Sequence, residues 1–306
     1  MRTTLSVSAL MLLMLACCAC AAPSALPEAS RTATPSPVAT PSPSPATPTQ
    51  PAPTAQPPAS PTIEATPTSL ACWKAGGRYE TGSLESALLP QPLEYRIYLP
   101  PCYDELPDRR YPLLYLIHGQ SYNHDQWDRL GVDEAAEALI ASGEIAPLMI
   151  VLPRYRSWLQ PPDNRFGQAL VQELLPHVDK QYRSIPDRAH RAIGGLSMGA
   201  AWAVHLGISE WRLFGAIGAH SLPVFWNDTK HLRAWLREIP PDQLPRIYLD
   251  IGELDRKEIL ASARWFEQML TEENIPHEWH LFPGSHNEAY WASHVEQYLR
   301  WYARDW

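Results

Sequence analysis

Short apolar runs alternate with segments of helical periodicity from about residue 70 to the end of the chain. Seven apolar runs predict strands, at 93–99, 113–117, 148–152, 192–196, 215–218, 247–251 and 278–282. Segments whose apolar residues recur three and four positions apart predict helices, at 133–141, 167–181, 198–207, 230–237, 257–271 and about 288–302. Because strands and helices alternate, we predict one α/β domain over 70–306, with a mostly parallel sheet covered on both faces.

A serine stands between one predicted strand and the helix that follows it. The sequence GLSMG at 195–199 fits G-x-S-x-G, the pattern of a nucleophile elbow when a strand precedes it and a helix follows. Such a turn leaves no room for a bulky side chain two positions before or after the serine, and Gly195 and Gly199 meet that demand. The alternative is an ordinary glycine-rich turn. The strand and helix on either side favour Ser197 as a nucleophile.

A general base is expected in a loop after a late strand. His286 follows the predicted strand at 278–282 and precedes the last predicted helix, with Gly284 giving the loop freedom to turn. His280 and His294 are weaker candidates, because one lies within the strand and the other within the helix.

The acid that orients this base should lie between Ser197 and His286 in the chain. Asp255 follows the predicted strand at 247–251, where its carboxylate can accept a hydrogen bond from the imidazole. Asp250 lies inside that strand and is expected to be structural, and Glu253 is the second choice. A role for Asp255 as no more than a helix cap stays open.

Two backbone N–H groups are needed to hold an oxyanion. One belongs to the residue after the nucleophile, Met198. The other is expected in the loop after the strand at 113–117, where His118 and Gly119 precede Gln120. We assign the second donor to the N–H of Gln120, with Gly119 allowing a close approach of the backbone.

These segments resemble a known family. They are LEYRIYLPPCY at 93–103, YPLLYLIHG at 111–119, RAIGGLSMG at 191–199, IGELD at 251–255 and GSH at 284–286. Over roughly 72–304 the chain resembles the esterase D and enterochelin-esterase-like group, which includes S-formylglutathione hydrolases, feruloyl esterases and mycolyltransferases of the antigen 85 type. The resemblance implies an α/β-hydrolase fold with Ser197, Asp255 and His286 as a catalytic triad.

The start of the chain indicates export. A basic start and an apolar stretch at 5–16 predict a signal peptide over 1–20, too short for a confident membrane span. Ala16 before Cys17 resembles a bacterial lipoprotein processing site, so Cys17 is the expected lipidated residue, with Cys20 as the other choice. We expect a lipid-anchored protein of the cell envelope. Plain secretion and an uncleaved anchor stay open.

A proline-rich segment at 21–69 separates this signal from the predicted domain. Fourteen of the 47 residues at 23–69 are proline, and none is glycine or aromatic. Such a composition cannot bury enough apolar surface to offset the entropy of ordering, so we predict a disordered, extended tether.

Cysteine usage and charge restrict the cofactors and partners. Cys72 and Cys102 are the cysteines of the predicted domain, and an exported location permits a disulfide between them, the alternative being free thiols. No zinc-type spacing or phosphate loop is present, so we expect no metal and no cofactor. The net charge of −8 argues against nucleic acid as a partner. Membrane contact is expected only through the lipid anchor.

Aromatic residues are candidates for substrate binding. Trp127, Trp158 and Trp291 are predicted in or near loops at the catalytic mouth, where they could stack on a sugar or phenolic ring. Ordinary packing is the alternative for each. The loop at 154–165, with three arginines and two aromatic residues, could contact an anionic or carbohydrate-linked substrate.

Together, these features predict an exported serine esterase that hydrolyses small-molecule or glycan-linked esters through an acyl-enzyme. An acyltransferase of the mycolyltransferase type and a non-catalytic surface binding protein on a hydrolase scaffold are the alternatives.

Overall fold

An eight-stranded sheet with strand order β1-β2-β4-β3-β5-β6-β7-β8 forms the centre of the fold. The strands are β1 Arg78–Leu84, β2 Leu93–Leu99, β3 Leu113–Ile117, β4 Met149–Pro153, β5 Arg191–Leu196, β6 Ala216–His220, β7 Arg246–Gly252 and β8 Glu278–Phe282. The pairs β1–β2 and β2–β4 are antiparallel, and the remaining pairs, from β4–β3 across to β7–β8, are parallel. All seven predicted strands are therefore present, with ends that differ by no more than two residues.

This structure, a computed structural model, describes residues 72–306. The predicted signal peptide at 1–20, the lipidation site at Cys17 and the tether at 21–69 lie outside the described residues. None of the helices in 72–306 is long and apolar enough to span a bilayer.

Helices cover both faces of the sheet. They are α1 Cys72–Ala75, α2 Gln126–Arg129, α3 Val132–Ala141, α4 Phe166–Ala169, α5 Leu175–Gln181, α6 Met198–Ser209, α7 Leu232–Glu238, α8 Lys257–Glu272, α9 Glu288–Ala292 and α10 Val295–Ala303. Helices α4 to α8 pack in one hydrophobic cluster, and α2, α3, α9 and α10 pack in a second. Successive side chains of a strand point to opposite faces of the sheet, which explains the two clusters. In β3, Leu113 and Tyr115 belong to the first cluster, and Leu114 and Leu116 belong to the second.

Two predicted helices are interrupted in the structure. The helix expected at 167–181 contains a π-helical turn, Leu170–Leu174, just before Pro176, whose missing N–H removes one hydrogen bond of the α pattern. The helix expected at 288–302 is divided into α9 and α10. At that division the side chains of Ser293 and His294 both hydrogen-bond to the carbonyl oxygen of Tyr290, which competes with the backbone pattern.

A disulfide joins Cys72 in α1 to Cys102 in the loop after β2. The Cα atoms of the two residues are 5.0 Å apart. The bond connects the first described residue to the central sheet through the loop that follows β2.

Candidate active site

Ser197 lies on a strained turn between β5 and α6. Its φ of 52° and ψ of −123° lie in a region that side-chain-bearing residues rarely adopt. A Cβ atom on Gly199 would stand 2.1 Å from the carbonyl oxygen of Ile117, and one on Gly195 would stand 2.4 Å from the carbonyl carbon of Gly199. Only glycine therefore fits at either position, as the sequence pattern requires.

Three side chains predicted to act together form one hydrogen-bonded chain. The Oγ atom of Ser197 lies 3.0 Å from Nε2 of His286. On the other side of the ring, Nδ1 of His286 lies 2.9 Å from Oδ1 and 3.0 Å from Oδ2 of Asp255. Since a carboxylate can only accept, Nδ1 carries the proton and Nε2 is free to accept one from Ser197.

The topology of the sheet brings these three residues together. Strands β5, β7 and β8 run parallel, so their carboxyl ends share one edge of the sheet, and Ser197, Asp255 and His286 each follow one of those ends. Asp255 is buried, and its carboxylate also accepts the backbone N–H of Arg256 at 2.6 Å. The residue that precedes helix α8 is Arg256, so Asp255 is not its N-cap.

The other acidic and histidine candidates lie elsewhere. Asp250 is buried in β7 with partners of its own, and Glu253 is exposed at the surface. The ring of His280 packs against Tyr248 and Phe282, and His294 hydrogen-bonds within its own helix turn. None of the four hydrogen-bonds to Ser197 or His286 in the described part of the chain.

Of the two expected oxyanion donors, Met198 directly follows Ser197 in the chain, and Gln120 lines the same cavity as Ser197. Neither the N–H of Met198 nor that of Gln120 has an acceptor among residues 72–306. Gln120 follows Gly119, whose own N–H is held at 2.8 Å by the side-chain oxygen of the fully buried Gln126. Both N–H groups are therefore left without a protein acceptor in the described part of the chain.

His118 was expected only as part of the loop, and the structure gives it a specific function in orienting the backbone. Its Nδ1 donates to the carbonyl oxygen of Gly119 at 2.7 Å, a carbonyl that also accepts the N–H of Tyr122 at 3.2 Å, and its Nε2 accepts the N–H of Tyr155 at 3.3 Å. These partners fix one neutral tautomer, and burial lowers the pKa of His118 to about 4. Because a trans peptide directs its C=O and N–H in opposite directions, holding the Gly119 carbonyl orients the N–H of Gln120.

A cavity of about 340 Å³ opens over the triad. Its lining includes Ser197, His286 and two of the predicted tryptophans, Trp158 and Trp291. Trp158 is 65% exposed at the rim, whereas Trp291 is buried and meets the His286 ring edge to face at 4.9 Å.

The prediction that Trp127 contacts substrate is wrong. Its side chain is 1% exposed, and its indole N–H donates to the carbonyl oxygen of Ile117 at 3.1 Å. A short helix, α2, begins at Gln126 where the sequence predicted a loop, and this turns the indole inward beneath the end of β3.

Three charged or aromatic residues of the cavity were not predicted from the sequence. Tyr122, Arg256 and Glu288 contribute to its lining. Glu288 is neutralised by Arg129 at 2.7 Å, whereas the guanidinium of Arg256 forms no ion pair within 72–306. No local sequence motif marks these residues, because their position in the cavity depends on how separate loops come together in the fold.

The loop at 154–165 borders a neighbouring cavity of about 320 Å³ that shares Gln120, Tyr122 and Trp158 with the catalytic one. Two of its arginines, Arg154 and Arg156, each pair with Glu94 at 2.6 Å. Their charge is therefore largely neutralised within the protein. Among residues 72–306, no group of three or more His, Cys, Asp or Glu side chains is arranged to hold a metal ion.

Comparison with known proteins identifies relatives of this chain. An endo-1,4-β-xylanase/feruloyl esterase of Xylanibacter ruminicola is 30% identical over 149 residues, which is 45% of this chain and 19% of that protein. An esterase of Mycobacterium tuberculosis is 24% identical over 230 residues, which is 58% of this chain and 49% of that protein. The chain thus spans about half or less of the length of these relatives.

Solved structures share the fold. A ferulic acid esterase superposes with a TM-score of 0.67 at 26% identity, covering 76% of this chain and 99% of that one. The S-formylglutathione hydrolase FrmB of Staphylococcus aureus has a TM-score of 0.58 at 14% identity, covering 74% of this chain and 99% of its own, and supports the fold alone. The esterase family model matches residues 86–302. The chain therefore belongs to the esterase family and has the α/β-hydrolase fold, which confirms the resemblance inferred from the sequence.

Proposed function

We propose that the protein is a serine esterase that hydrolyses carboxylic esters through an acyl-enzyme. The observation that carries this proposal is the chain of hydrogen bonds from Asp255 through His286 to Ser197, with separations of 2.9 Å and 3.0 Å. The family match and the unengaged N–H groups of Met198 and Gln120 support it.

In the first half-reaction, Nε2 of His286 takes the proton of Ser197 while Oγ bonds to the ester carbonyl carbon. The N–H groups of Met198 and Gln120 donate to the resulting oxyanion. When the tetrahedral intermediate collapses, the carbon–oxygen bond to the alcohol breaks, and His286 gives that alcohol its proton. Ser197 is left as an acyl ester.

In the second half-reaction, His286 removes a proton from water, and the hydroxyl oxygen attacks the acyl carbon. Collapse of this intermediate releases the carboxylic acid, and the proton returns from His286 to Oγ of Ser197. Throughout both steps Asp255, buried beside Nδ1, holds the tautomer and stabilises the imidazolium. If an alcohol replaces water, the same steps transfer the acyl group.

The walls of the cavity support a proposal for the substrate class. Trp158, exposed at the rim, offers aromatic surface to an aromatic acyl group or a sugar-linked ester, and the buried Trp291 lines the wall beside His286. The names of two similar proteins include feruloyl or ferulic acid esterase, which favours a glycan-linked or small aromatic ester. We also propose export, with lipidation at Cys17 and the segment at 21–69 as a tether, on the sequence pattern of 1–69.

Activity-based labelling tests the proposal directly. The purified protein, its Ser197→Ala variant and a control Ser83→Ala variant, at an exposed position of β1, would be treated with a fluorophosphonate and assayed on p-nitrophenyl esters, methyl ferulate and acetylated sugars. We expect labelling and hydrolysis in the parent and in Ser83→Ala, and neither in Ser197→Ala. Equal rates in all three proteins would refute a Ser197 esterase. Adding a sugar or alcohol acceptor to the same assay measures how much acyl group is transferred.

A further inference from the structure

A second buried histidine–carboxylate pair lies beneath the candidate active site. His220 ends strand β6, and its Nδ1 donates to Oδ1 of Asp250 on β7 at 2.5 Å. Oδ2 of the same carboxylate accepts the hydroxyls of Tyr290 at 2.6 Å and Tyr298 at 2.8 Å. The hydroxyl of Tyr302 lies 3.1 Å from Nε2 of His220. The network therefore links β6 and β7 to α9 and α10.

The protonation of the tyrosines keeps this network in one arrangement. Burial, and then the negative charge of Asp250, raise the pKa of both Tyr290 and Tyr298 far above the usual range, so both hydroxyls remain donors. The carboxylate thus receives three hydrogen bonds, which offset the cost of its burial. The ring of Tyr298 also stacks on that of His220 with centroids 3.7 Å apart.

One branch of the network reaches the nucleophile. The carbonyl oxygen of His220 accepts the backbone N–H of Ser197 at 2.8 Å. Ser197 is held at φ 52°, a conformation that persists only where the surrounding structure enforces it. Anchoring His220 at its side chain therefore fixes the backbone oxygen that holds Ser197 in this strained turn.

A second branch reaches the base. Ser221 follows His220, and its N–H donates to the carbonyl oxygen of Asp250 at 2.8 Å. The hydroxyl of Ser221 accepts the indole N–H of Trp291 at 3.2 Å. Trp291 in turn packs edge to face on the ring of His286. Two consecutive residues at the end of β6 thus support both reacting side chains.

We propose that the His220–Asp250 network is a positioning device that keeps Ser197 and His286 within hydrogen-bonding distance. His220, Asp250, Ser221 and the tyrosines act through Ser197 and Trp291 and touch no reacting atom. The inference rests on the proposed esterase function, since it concerns the reactivity of Ser197.

Hydroxyl deletions test the network without removing its packing. Tyr298→Phe removes one donor to Asp250 and keeps the stacked ring. Ser221→Ala removes the acceptor for Trp291 and keeps a Cβ atom at the same positive φ of 56°. Tyr98→Phe is the matched control, because Tyr98 is buried in the same hydrophobic cluster and its hydroxyl has no partner among residues 72–306.

The readouts are kcat, KM, the rate of fluorophosphonate labelling and the midpoint of thermal unfolding. We expect Tyr298→Phe and Ser221→Ala to lower kcat and the labelling rate about ten-fold with KM within about two-fold, because a displacement of 1 Å can reduce the rate about 100-fold. Tyr98→Phe should keep parental kcat. If both test variants unfold at lower temperature but retain parental kcat and labelling, the network is only structural and the inference is wrong.

Two further outcomes separate this inference from the proposed function. Activity that survives in Ser197→Ala contradicts the esterase proposal, whatever the network variants show. An inactive Ser197→Ala beside fully active Tyr298→Phe and Ser221→Ala contradicts the positioning role alone. Should Tyr298→Phe fail to fold, Ser221→Ala still tests the branch to His286, because its hydroxyl lies outside the Asp250 carboxylate cluster.

Discussion

Replacing His118 should weaken one half of the proposed oxyanion hole while the triad stays intact. His118 holds the Gly119 carbonyl at 2.7 Å and thereby orients the N–H of Gln120 in the same peptide unit. In His118→Phe the ring can still stack on Tyr155, as the imidazole does at 4.3 Å, but the hydrogen bond to the carbonyl is lost. The carbonyl then keeps only the longer hydrogen bond from the N–H of Tyr122, at 3.2 Å, so the Gln120 N–H is held less firmly toward the oxyanion.

The size of the effect follows from what one oxyanion donor contributes. Complete loss of such a donor lowers kcat about 10²- to 10³-fold, or ~2.7–4 kcal/mol. In His118→Phe the peptide loses its shorter hydrogen bond but keeps the one from Tyr122, and the Met198 donor remains. We therefore expect kcat to fall about 10- to 100-fold, which is ~1.4–2.7 kcal/mol, with a smaller change in KM. Steady-state kinetics on a p-nitrophenyl ester measures both constants.

His118→Asn is the rescue variant, since its amide can donate to the Gly119 carbonyl from a position close to that of Nδ1. It should recover a large part of kcat relative to His118→Phe. Parental kcat in His118→Phe, together with a lower free energy of unfolding, would refute the argument that this side chain orients Gln120. Equal kcat losses in both variants would show that the imidazole contributes something other than a donor to Gly119.

The same residue gives a dependence of stability on pH. Burial lowers the pKa of His118 to about 4 in the folded protein, below the value of about 6.5 in an unfolded chain. The unfolded state therefore binds more protons between these two values, and the free energy of unfolding should decrease as pH falls from about 6.5 to about 4. The loss attributable to His118 is about 3 kcal/mol, and His118→Phe should lack it in urea unfolding measured across that range. A parent and variant with the same slope would contradict this assignment.

Three other substitutions have expected outcomes. Asp255→Asn should lower kcat about 10³- to 10⁴-fold, because it allows the wrong tautomer of His286. Its control is Glu253→Gln, at an exposed residue nearby, which should keep parental kcat. Comparable losses in both variants would contradict the assignment of the acid. Gly199→Ala would place a Cβ atom 2.1 Å from the carbonyl oxygen of Ile117. We therefore expect a lower midpoint of thermal unfolding and no fluorophosphonate labelling. A parental midpoint would contradict this steric conflict. Trp158→Ala should raise KM about three- to ten-fold for aromatic acyl esters and less for acetates, in line with ~0.5–1.5 kcal/mol for aromatic stacking. The exposed Trp226→Ala is its control, and equal effects of the two substitutions would argue against stacking at Trp158.

Most of the parallel sheet could be predicted because both of its faces are buried. Strands β3 to β7 consist almost entirely of buried residues, so each appears in the sequence as a short apolar run. Strand β1 was missed for the opposite reason. It is an edge strand paired only with β2, and its sequence RYETGSL is half-exposed, so no apolar run marks it.

The triad could be predicted because its signals are local and its order is fixed by the fold. A G-x-S-x-G turn, a carboxylate after a strand and a histidine in a glycine loop each depend on a few neighbouring residues. The direction of the Trp127 side chain could not be predicted in this way. It is set by the four-residue helix α2, which is too short to show periodicity, and by the carbonyl of Ile117 that its indole N–H reaches.

The supporting histidines show why the rest of the site lay beyond sequence reasoning. His118 follows the end of β3, and His220 ends β6, on the two strands that flank β5 and its nucleophile turn. Each is buried, and each acts by fixing one peptide carbonyl, that of Gly119 or its own, so that a neighbouring backbone group is oriented. A carbonyl has no sequence signature, and the partners that anchor these rings, Tyr155 and Asp250, lie 37 and 30 residues away along the chain. Short motifs therefore mark the candidate catalytic residues, whereas the geometry of the candidate site depends on buried polar contacts that only the folded sheet brings together.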